Sequence, residues 1–472
     1  MALLNERPST LPNEPPEAWE PLLKLARLAR RPLDRFLQIQ AASGILLLVA
    51  AALALALANS PWAEGYRTLW QTQVGTRVGS FVFERSLEWV VNDVLMAVFF
   101  FVVGLEIRRE VHHGELSELR RAALPVAAAL GGMVAPALLY VALAGGPVTG
   151  EGWGVPMATD IAFAVGILAL LGDRVPAALR VLLLALAVID DLGAILVIAF
   201  FYSSGVAPAG FVVAALGLAI IFGMQRLGIR NKLAYVPAAA VTWAGIYAAG
   251  VHPTIAGVIV GVITPVRAWL GPDGFVRGVE RELAALSDPG AAKLSSHALS
   301  ETLRQVDLAR REAMSPAESL IETLHPWVAF GIMPIFAFAN AGVTVGGAPL
   351  DGDASRVMIG VFVGLVVGKP LGVLAICAVA IKTGLATVPA GVTARHLVVL
   401  GVVAGVGFTM SIFIAQLAFP EPLLGAAKLG VLVASLAAGV LSLALGRALL
   451  RPEAPALGVA VSADEAESST ES

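Results

Sequence analysis

Apolar stretches of 18 or more residues recur along this chain, and each is long enough to cross about 30 Å of hydrocarbon. About twelve are read, centred near Leu48, Ala97, Met133, Ala162, Asp190, Gly217, Thr242, Val258, Pro334, Lys369, Gly407 and Ala437. The pair around Thr242 and Val258 is divided only by Gly250-Val251-His252-Pro253, so its boundaries stay open. An aliphatic β-barrel fails as an alternative, because barrel strands alternate over about ten residues and these stretches do not alternate. A soluble fold fails on composition. The chain is 57% hydrophobic and 14% charged, whereas soluble domains carry about 25% charge, so it has too little polar surface to cover a core of its own size. It must be solvated by lipid. The expectation is an all-α polytopic membrane protein.

Lys and Arg set its orientation. With the N-terminus inside, 26 of the 32 fall in inner segments. Arg67, Arg77, Arg85, Arg356 and Lys428 fall outside, and Lys369 lies within a span. This asymmetry is the positive-inside signal; it implies an even number of spans and both termini in the cytoplasm. Residues 1–35 are polar and Pro-rich, and Lys24, Arg27, Arg30, Arg31 and Arg35 precede the first span without a cleavage site, so they are expected to form a cytoplasmic tail. Residues 36–265 are expected to hold transmembrane helices 1–8. The mixed-charge loop 266–324 is expected to carry an amphipathic helix, and 325–450 helices 9–12. The acidic, Ser-rich segment 451–472 is expected to be a disordered cytoplasmic tail. The net charge of −3 offers no basic excess for nucleic acid. The single cysteine, Cys377, excludes an internal disulfide framework and a Cys-based zinc site, and no cofactor is expected.

The informative residues are the ionisable ones inside the apolar stretches. Asp190 and Asp191 follow nine uninterrupted apolar residues, Val181–Ile189, which puts them about 14 Å into the layer at 1.5 Å per residue. Lys369 has no charge within Val357–Gly368 before it or Pro370–Ile381 after it. Asp160 lies seven residues past Trp153, Asp93 is in the second span, and Glu106 is nearer that span's inner end. A charge at the bilayer centre costs about 2.5–3.5 kcal/mol on insertion scales, so these groups must meet one another or water. A static ion pair that locks two helices would explain Lys369. It explains the two acids less well, because adjacent residues point about 100° apart on a helix and one lysine cannot neutralise both. Two carboxylates about 5–6 Å apart repel by roughly 3 kcal/mol at an effective dielectric of 20. The pair is therefore more stable with a proton on one member until a cation arrives, and carboxylate oxygens suit the hard ions Na+ and Li+.

Two spans look broken. Gly152-Trp153-Gly154-Val155-Pro156 leads into Ala158-Thr159-Asp160, and Gly401, Gly405 and Gly407 precede Phe408-Thr409. Close packing through small residues is one reading. The other rests on position: these are the middle members of triplets 3–5 and 10–12, and matching interruptions in two halves point to a midplane site between inverted-topology repeats.

Ala158-Thr159-Asp160-Ile161-Ala162-Phe163-Ala164, Val188-Ile189-Asp190-Asp191-Leu192-Gly193-Ala194-Ile195, Gly368-Lys369-Pro370-Leu371-Gly372 and Gly407-Phe408-Thr409-Met410-Ser411-Ile412-Phe413 resemble the NhaA family of sodium–proton antiporters. So do Val103-Gly104-Leu105-Glu106-Ile107-Arg108-Arg109-Glu110 and Leu324-His325-Pro326-Trp327, and the likeness runs in order from about residue 36 to 450. That family is itself a known example of inverted repeats. The resemblance implies a homodimeric inner-membrane exchanger of twelve helices, two of them discontinuous and crossing near the midplane. It implies electrogenic exchange of two protons per Na+ or Li+, serving pH and sodium homeostasis. Carried over, Asp191 is the main cation carboxylate and Asp190 its partner, able to pair with Lys369. Thr159 stands near the ion, and Asp160 compensates the crossed helix ends. Asp93 lies by the cytoplasmic funnel, and Glu106, Arg109 and His252 match positions linked to pH response. Where the family often has a glutamate four residues before the Leu-His-Pro histidine, this chain has Ile321, with Glu322 one step later.

Other classes fit less well. An intramembrane aspartyl protease needs its acids on separate helices, one in a Gly-x-Gly-Asp setting. A rhomboid-like serine protease needs a Ser–His pair at depth; Ser411 is deep, but His252, His325 and His396 are at span ends. A passive cation channel does not need a midplane lysine. The nearest rival is a cation- or proton-coupled symporter of a small organic anion, with Lys369 as the anion contact. His112, His113, His297 and His396 read as solvated residues, and Asn340 as a helix-packing amide.

Overall fold

A computed structural model describes residues 42–78, 81–203, 205, 207–287, 296–344 and 352–451. The expected N-terminal tail, and the C-terminal tail past Arg451, lie outside the described residues. Helix α1 (Ala42–Ala58) is followed by α2 (Ala63–Gln71), which turns away from it by 114°. Next comes an antiparallel hairpin, β1 (Gln73–Val78) with β2 (Phe81–Ser86), in which Val74 faces Arg85 and Thr76 faces Phe83. The hairpin is the only β-sheet among the described residues. Its strands are six residues each and sit between two apolar stretches, too short for their alternation to register as a separate element.

The helices continue as α3 (Leu87–His113), α4 (Leu119–Ala144), a 3-10 segment Thr149–Met157, α5 (Ile161–Leu171), α6 (Ala177–Phe201), α7 (Pro208–Arg226), α8 (Val236–Ala248) and α9 (Thr254–Ile263). Then follow α10 (Gly271–Ser287), α11 (Ser296–Ala313), α12 (Pro316–Asn340), α13 (Asp353–Lys382), α14 (Ala394–Ala404), α15 (Phe408–Ala418) and α16 (Leu423–Leu449). Among the described residues, seven helices (α3, α4, α6, α7, α12, α13 and α16) are long and apolar enough to cross a membrane. Counting each bent pair as one span raises the number to ten. The two other expected centres, Thr242 and Val258, fall on α8 and α9, of 13 and 10 residues, short of the roughly 20 that a straight crossing needs. Large apolar side chains point outward on many of these helices, with Leu138 65% and Phe200 78% exposed; lipid is the solvent that tolerates such a surface. The chain is a helical multi-pass membrane protein.

Three boundaries differ from expectation. The 266–324 segment holds two amphipathic helices, α10 and α11, packed on each other. The span expected from 325 starts earlier, at Pro316. There Ser315 Oγ accepts from Glu318 N (3.2 Å) while Glu318 Oε2 accepts from Ser315 N (3.2 Å), a reciprocal cap that stops fraying. Lys428, expected in an outer loop, lies inside α16 and is buried.

Two features of α13 set up the site. First, α13 and α4 touch backbone to backbone: a Cβ on Gly372 would stand 2.0 Å from Gly131 O, and one on Gly131 2.1 Å from Gly372 O. The approach lets the Lys369 stem lie on glycine, with a Cβ on Gly132 falling 3.5 Å from Lys369 Cε. Second, the turn Gly364–Gly368 widens to a π-helix just before Lys369. Pro370 has no N–H to donate and its ring crowds the carbonyl four residues back, at Val366, so the wider turn relieves that conflict. The same device precedes Pro334, at Val328–Ile332. Gly372→Ala should therefore force α4 and α13 apart. We expect a loss of about 2–4 kcal/mol, typical of a core clash with no flexible neighbour to give way, read as a lower unfolding temperature in detergent.

Candidate functional site

The site is built where two helix breaks meet. The 3-10 segment ends at Met157, and α5 begins after the extended residues Ala158 and Asp160. On the other side α14 ends at Ala404 and α15 begins at Phe408. Each pair bends by 43°, and the breaks are joined by Asp160 N donating to Val406 O at 2.8 Å. Two helix N-termini, both positive ends of a dipole, thus converge on one buried carboxylate. Asp160 Oδ1 accepts from Phe163 N (3.0 Å), and its Oδ2 accepts from Thr409 N (3.1 Å) and Thr409 Oγ1 (2.5 Å). The opposing C-terminal ends present carbonyls to donors. Lys369 Nζ donates to Met157 O, and Thr159 Oγ1 is within 3.1 Å of Ala404 O. A charged side chain therefore offsets the dipole at three of the broken ends, both N-termini and Met157, while the neutral Thr159 hydroxyl stands at the fourth. Asp160→Ala should cost about 3 kcal/mol, since it strips a charged partner from three donors at once; Asp160→Asn should cost less. Thermal unfolding of the purified variants measures both.

Beside this crossing, α6 presents its two acids on different sides. Asp190 Oδ2 lies 2.8 Å from Lys369 Nζ and accepts from Thr159 Oγ1 at 2.7 Å. Asp191 has neither oxygen hydrogen-bonded, although both are buried. It feels the negative charges of Asp190, Glu106 and Asp160 and the positive charge of Lys369. Asp190, Asp191, Thr159, Asp160 and Lys369 are each at most 1% exposed. A buried carboxylate with no partner is costly, and a proton or a cation is the group that would relieve it.

A family model described as Na+/H+ antiporter 1 matches residues 34–445. The chain belongs to that family. A Na(+)/H(+) antiporter NhaA 2 of Myxococcus xanthus is 68% identical over 457 residues, covering 97% of both chains. The protein of that name in Sorangium cellulosum is 56% identical over 98% of this chain and 99% of its own. One from Pseudomonas putida is 50% identical over 92% and 96%. This membership agrees with the motifs that suggested the NhaA family.

The remaining expected residues of this family member divide into two groups. Asp93 Oδ1 is 3.9 Å from His252 Nε2, and His252 Nδ1 is 2.8 Å from Thr254 Oγ1. Glu106 Oε1 is 3.7 Å from His325 Nδ1, with Arg109 close enough for its charge to act on the same imidazole. Asp93 and Glu106 are 13 positions apart on α3, about 20 Å along the axis. The four residues grouped by sequence as funnel and pH response thus do not share one place: Asp93 and His252 stand at one end of α3, Glu106 and Arg109 toward the other. His325, read as a span-end residue, joins Glu106. Ile321 is buried against Leu105, Val266 and Ala317 while Glu322 is exposed, so the packing there wants an apolar side chain and the acid one step on faces away.

Sequence reasoning did not single out Thr409 as a ligand of Asp160, nor the carbonyls of Met157 and Ala404. Thr409 follows the glycine-rich break Gly405-Val406-Gly407-Phe408, and that position is the signal that marks it. The carbonyls carry no residue signal at all. Ser411 Oγ on α15 is buried without a hydrogen-bond partner; its depth was read, its lack of a partner was not.

Proposed function

We propose that this chain exchanges Na+ or Li+ for H+ across the bacterial inner membrane, as a homodimer with both termini cytoplasmic. We read its fold as twelve spans in inverted repeats, two of them discontinuous. The carrying observation is the Asp191 carboxylate, buried with both oxygens unbonded beside an Asp190–Lys369 pair. With the site open inward, Asp191 and one member of the pair release protons, and Na+ binds between the carboxylates and Thr159. With Na+ bound the carboxylate charge is largely compensated, and the site crosses the low-dielectric barrier as the site-bearing helices rock against the rest. Outside, protons displace the ion. An empty, unprotonated site carries uncompensated charge and does not cross, which couples the fluxes. Two protons in for one Na+ out makes the cycle electrogenic.

Asp93, expected by the cytoplasmic funnel, sits with Asn92 at the end of α3 away from Glu106, so the two acids are read as stations on the approach from opposite faces, Asp93 on the outer one, with Arg109, His252 and His325 tuning them. The organic-anion symporter is less favoured, because Lys369 Nζ already donates to Asp190 and to Met157 O and has little to offer a substrate carboxylate. The test is Na+-induced proton movement in inverted vesicles or proteoliposomes. Because Na+ and H+ compete for one carboxylate, the apparent KM for Na+ should fall as pH rises, by up to about tenfold per unit. A KM that does not change with pH would contradict the scheme.

A further inference from the structure

We infer that Gln416 is a positioning residue for transport: with Asn340 and Asn92 it forms an amide clasp that holds the outer side of the ion site shut. The inference rests on the exchange reading above. Asn340, the last residue of α12, is 1% exposed. Its Nδ2 donates to Asn92 Oδ1 (2.8 Å) and to Phe336 O (3.0 Å), and its Oδ1 accepts from Asn92 Nδ2 (3.3 Å) and from Gln416 Nε2. Both protons and both lone pairs of the Asn340 amide are therefore engaged, the full capacity of the group. Asn92 lies in the widened turn Val90–Leu95 of α3. That end of α3 lies away from the basic Arg108–Arg121 stretch, so the cluster is on the outer side.

The three amides belong to helices with different duties. Gln416 is on α15, which also carries Thr409 and Ser411. Neither α3 nor α12 supplies any of Asp160, Asp190, Asp191 or Lys369. The clasp thus ties a site-bearing helix to two that must stay behind when it moves. Beneath it, nearer the site, is a plug of rings. Phe413 is 1% exposed and its ring is 5.5 Å from Phe100, 6.1 Å from Phe336 and 5.3 Å from His252. On α15 the ring and amide are Phe413 and Gln416; on α12 they are Phe336 and Asn340. At these three- and four-residue spacings the two stack on one helix face, so clasp and plug part together. Neutral amides can separate and rehydrate in each cycle at modest cost, which a buried ion pair in the same place could not do.

The experiment uses the full chain with Cys377→Ser, and Ala415→Cys as reporter; Ala415 is buried on α15 beside Gln416. A membrane-impermeant maleimide is applied from the outer side. Gln416→Leu should speed labelling about fivefold and raise the KM for Na+ presented from the inner side about fivefold, with kcat moved less, as expected for one lost amide hydrogen bond. Asn92→Ala should give the same shifts, and the double variant no more than either alone, because both open one clasp. Unchanged labelling, or losses that add and fall equally on both faces, would overturn the clasp. If Gln416→Leu does not fold, Gln416→Asn keeps the amide but not the reach, and the same readouts apply. Labelling needs no transport: a chain that labels as expected but exchanges no ions would overturn the exchange reading and leave the clasp standing.

Discussion

Asp191→Asn should abolish Na+-driven proton movement while leaving the protein folded. The amide has nearly the carboxylate's shape, so the packing around α6 is kept. It has no net charge to offer an ion and no proton to exchange. Losing even about 3 kcal/mol of ion–carboxylate attraction in a partly screened site lowers affinity about 100-fold, and losing the exchangeable proton removes the coupling altogether. Stability should move the other way or not at all, because neither Asp191 oxygen has a hydrogen bond to lose and the substitution removes a group that burial penalises. Loss of transport with an unchanged or higher unfolding temperature marks a residue kept for function. Proteoliposome exchange and thermal unfolding, measured on one preparation, decide it. Wild-type exchange by this variant would rule out the proposed scheme.

Lys369→Met should do the opposite to stability. The methionine fills the lysine stem's space against Gly132 but leaves Asp190 Oδ2 with Thr159 alone. Breaking one side of a buried pair costs about 3–5 kcal/mol, because the surviving charge stays buried without its partner. It also frees Met157 O, at the end of the 3-10 segment, from its donor. Asp190→Asn made alone leaves an unpaired ammonium and should cost a similar amount. The double variant should recover most of the loss, since both charges are gone, and a coupling of 1–3 kcal/mol between the two changes is expected. Transport by the double variant separates two roles for the lysine. If exchange returns with stability, Lys369 is only a strut between α13 and α6. If stability returns without exchange, the pair takes part in binding the ion or the proton.

The helical multi-pass character and the buried charges were legible without coordinates, and for a single reason. Lipid offers no hydrogen bonds, so an acid or lysine deep in an apolar stretch has to find a partner, and only a few were available: Asp160, Asp190, Asp191 and Lys369. The two helix breaks that bend by 43° were legible as well, because Gly and Pro before a Thr-Asp or Phe-Thr step cannot continue a helix cheaply. The hairpin 73–86 was not, nor was the short reach of α8 and α9, because few residues are involved and their polarity is mixed.

Which acid meets the lysine depends on the rotation of α6 about its own axis, and neighbouring letters in a sequence say nothing of that angle. Residue types left Asp190 and Asp191 equivalent, and only a family resemblance set them apart. In the structure Asp190 meets Lys369 and Thr159, while both oxygens of Asp191 are buried without a hydrogen bond. The same holds for the carbonyls of Met157 and Ala404, which any residue would supply, and for the separation of His252 from Glu106 along α3. Hydrophobic pattern is local and fixes how deep a side chain lies. Partnership is set by crossing angle and helix phase, and these arise only when the helices pack.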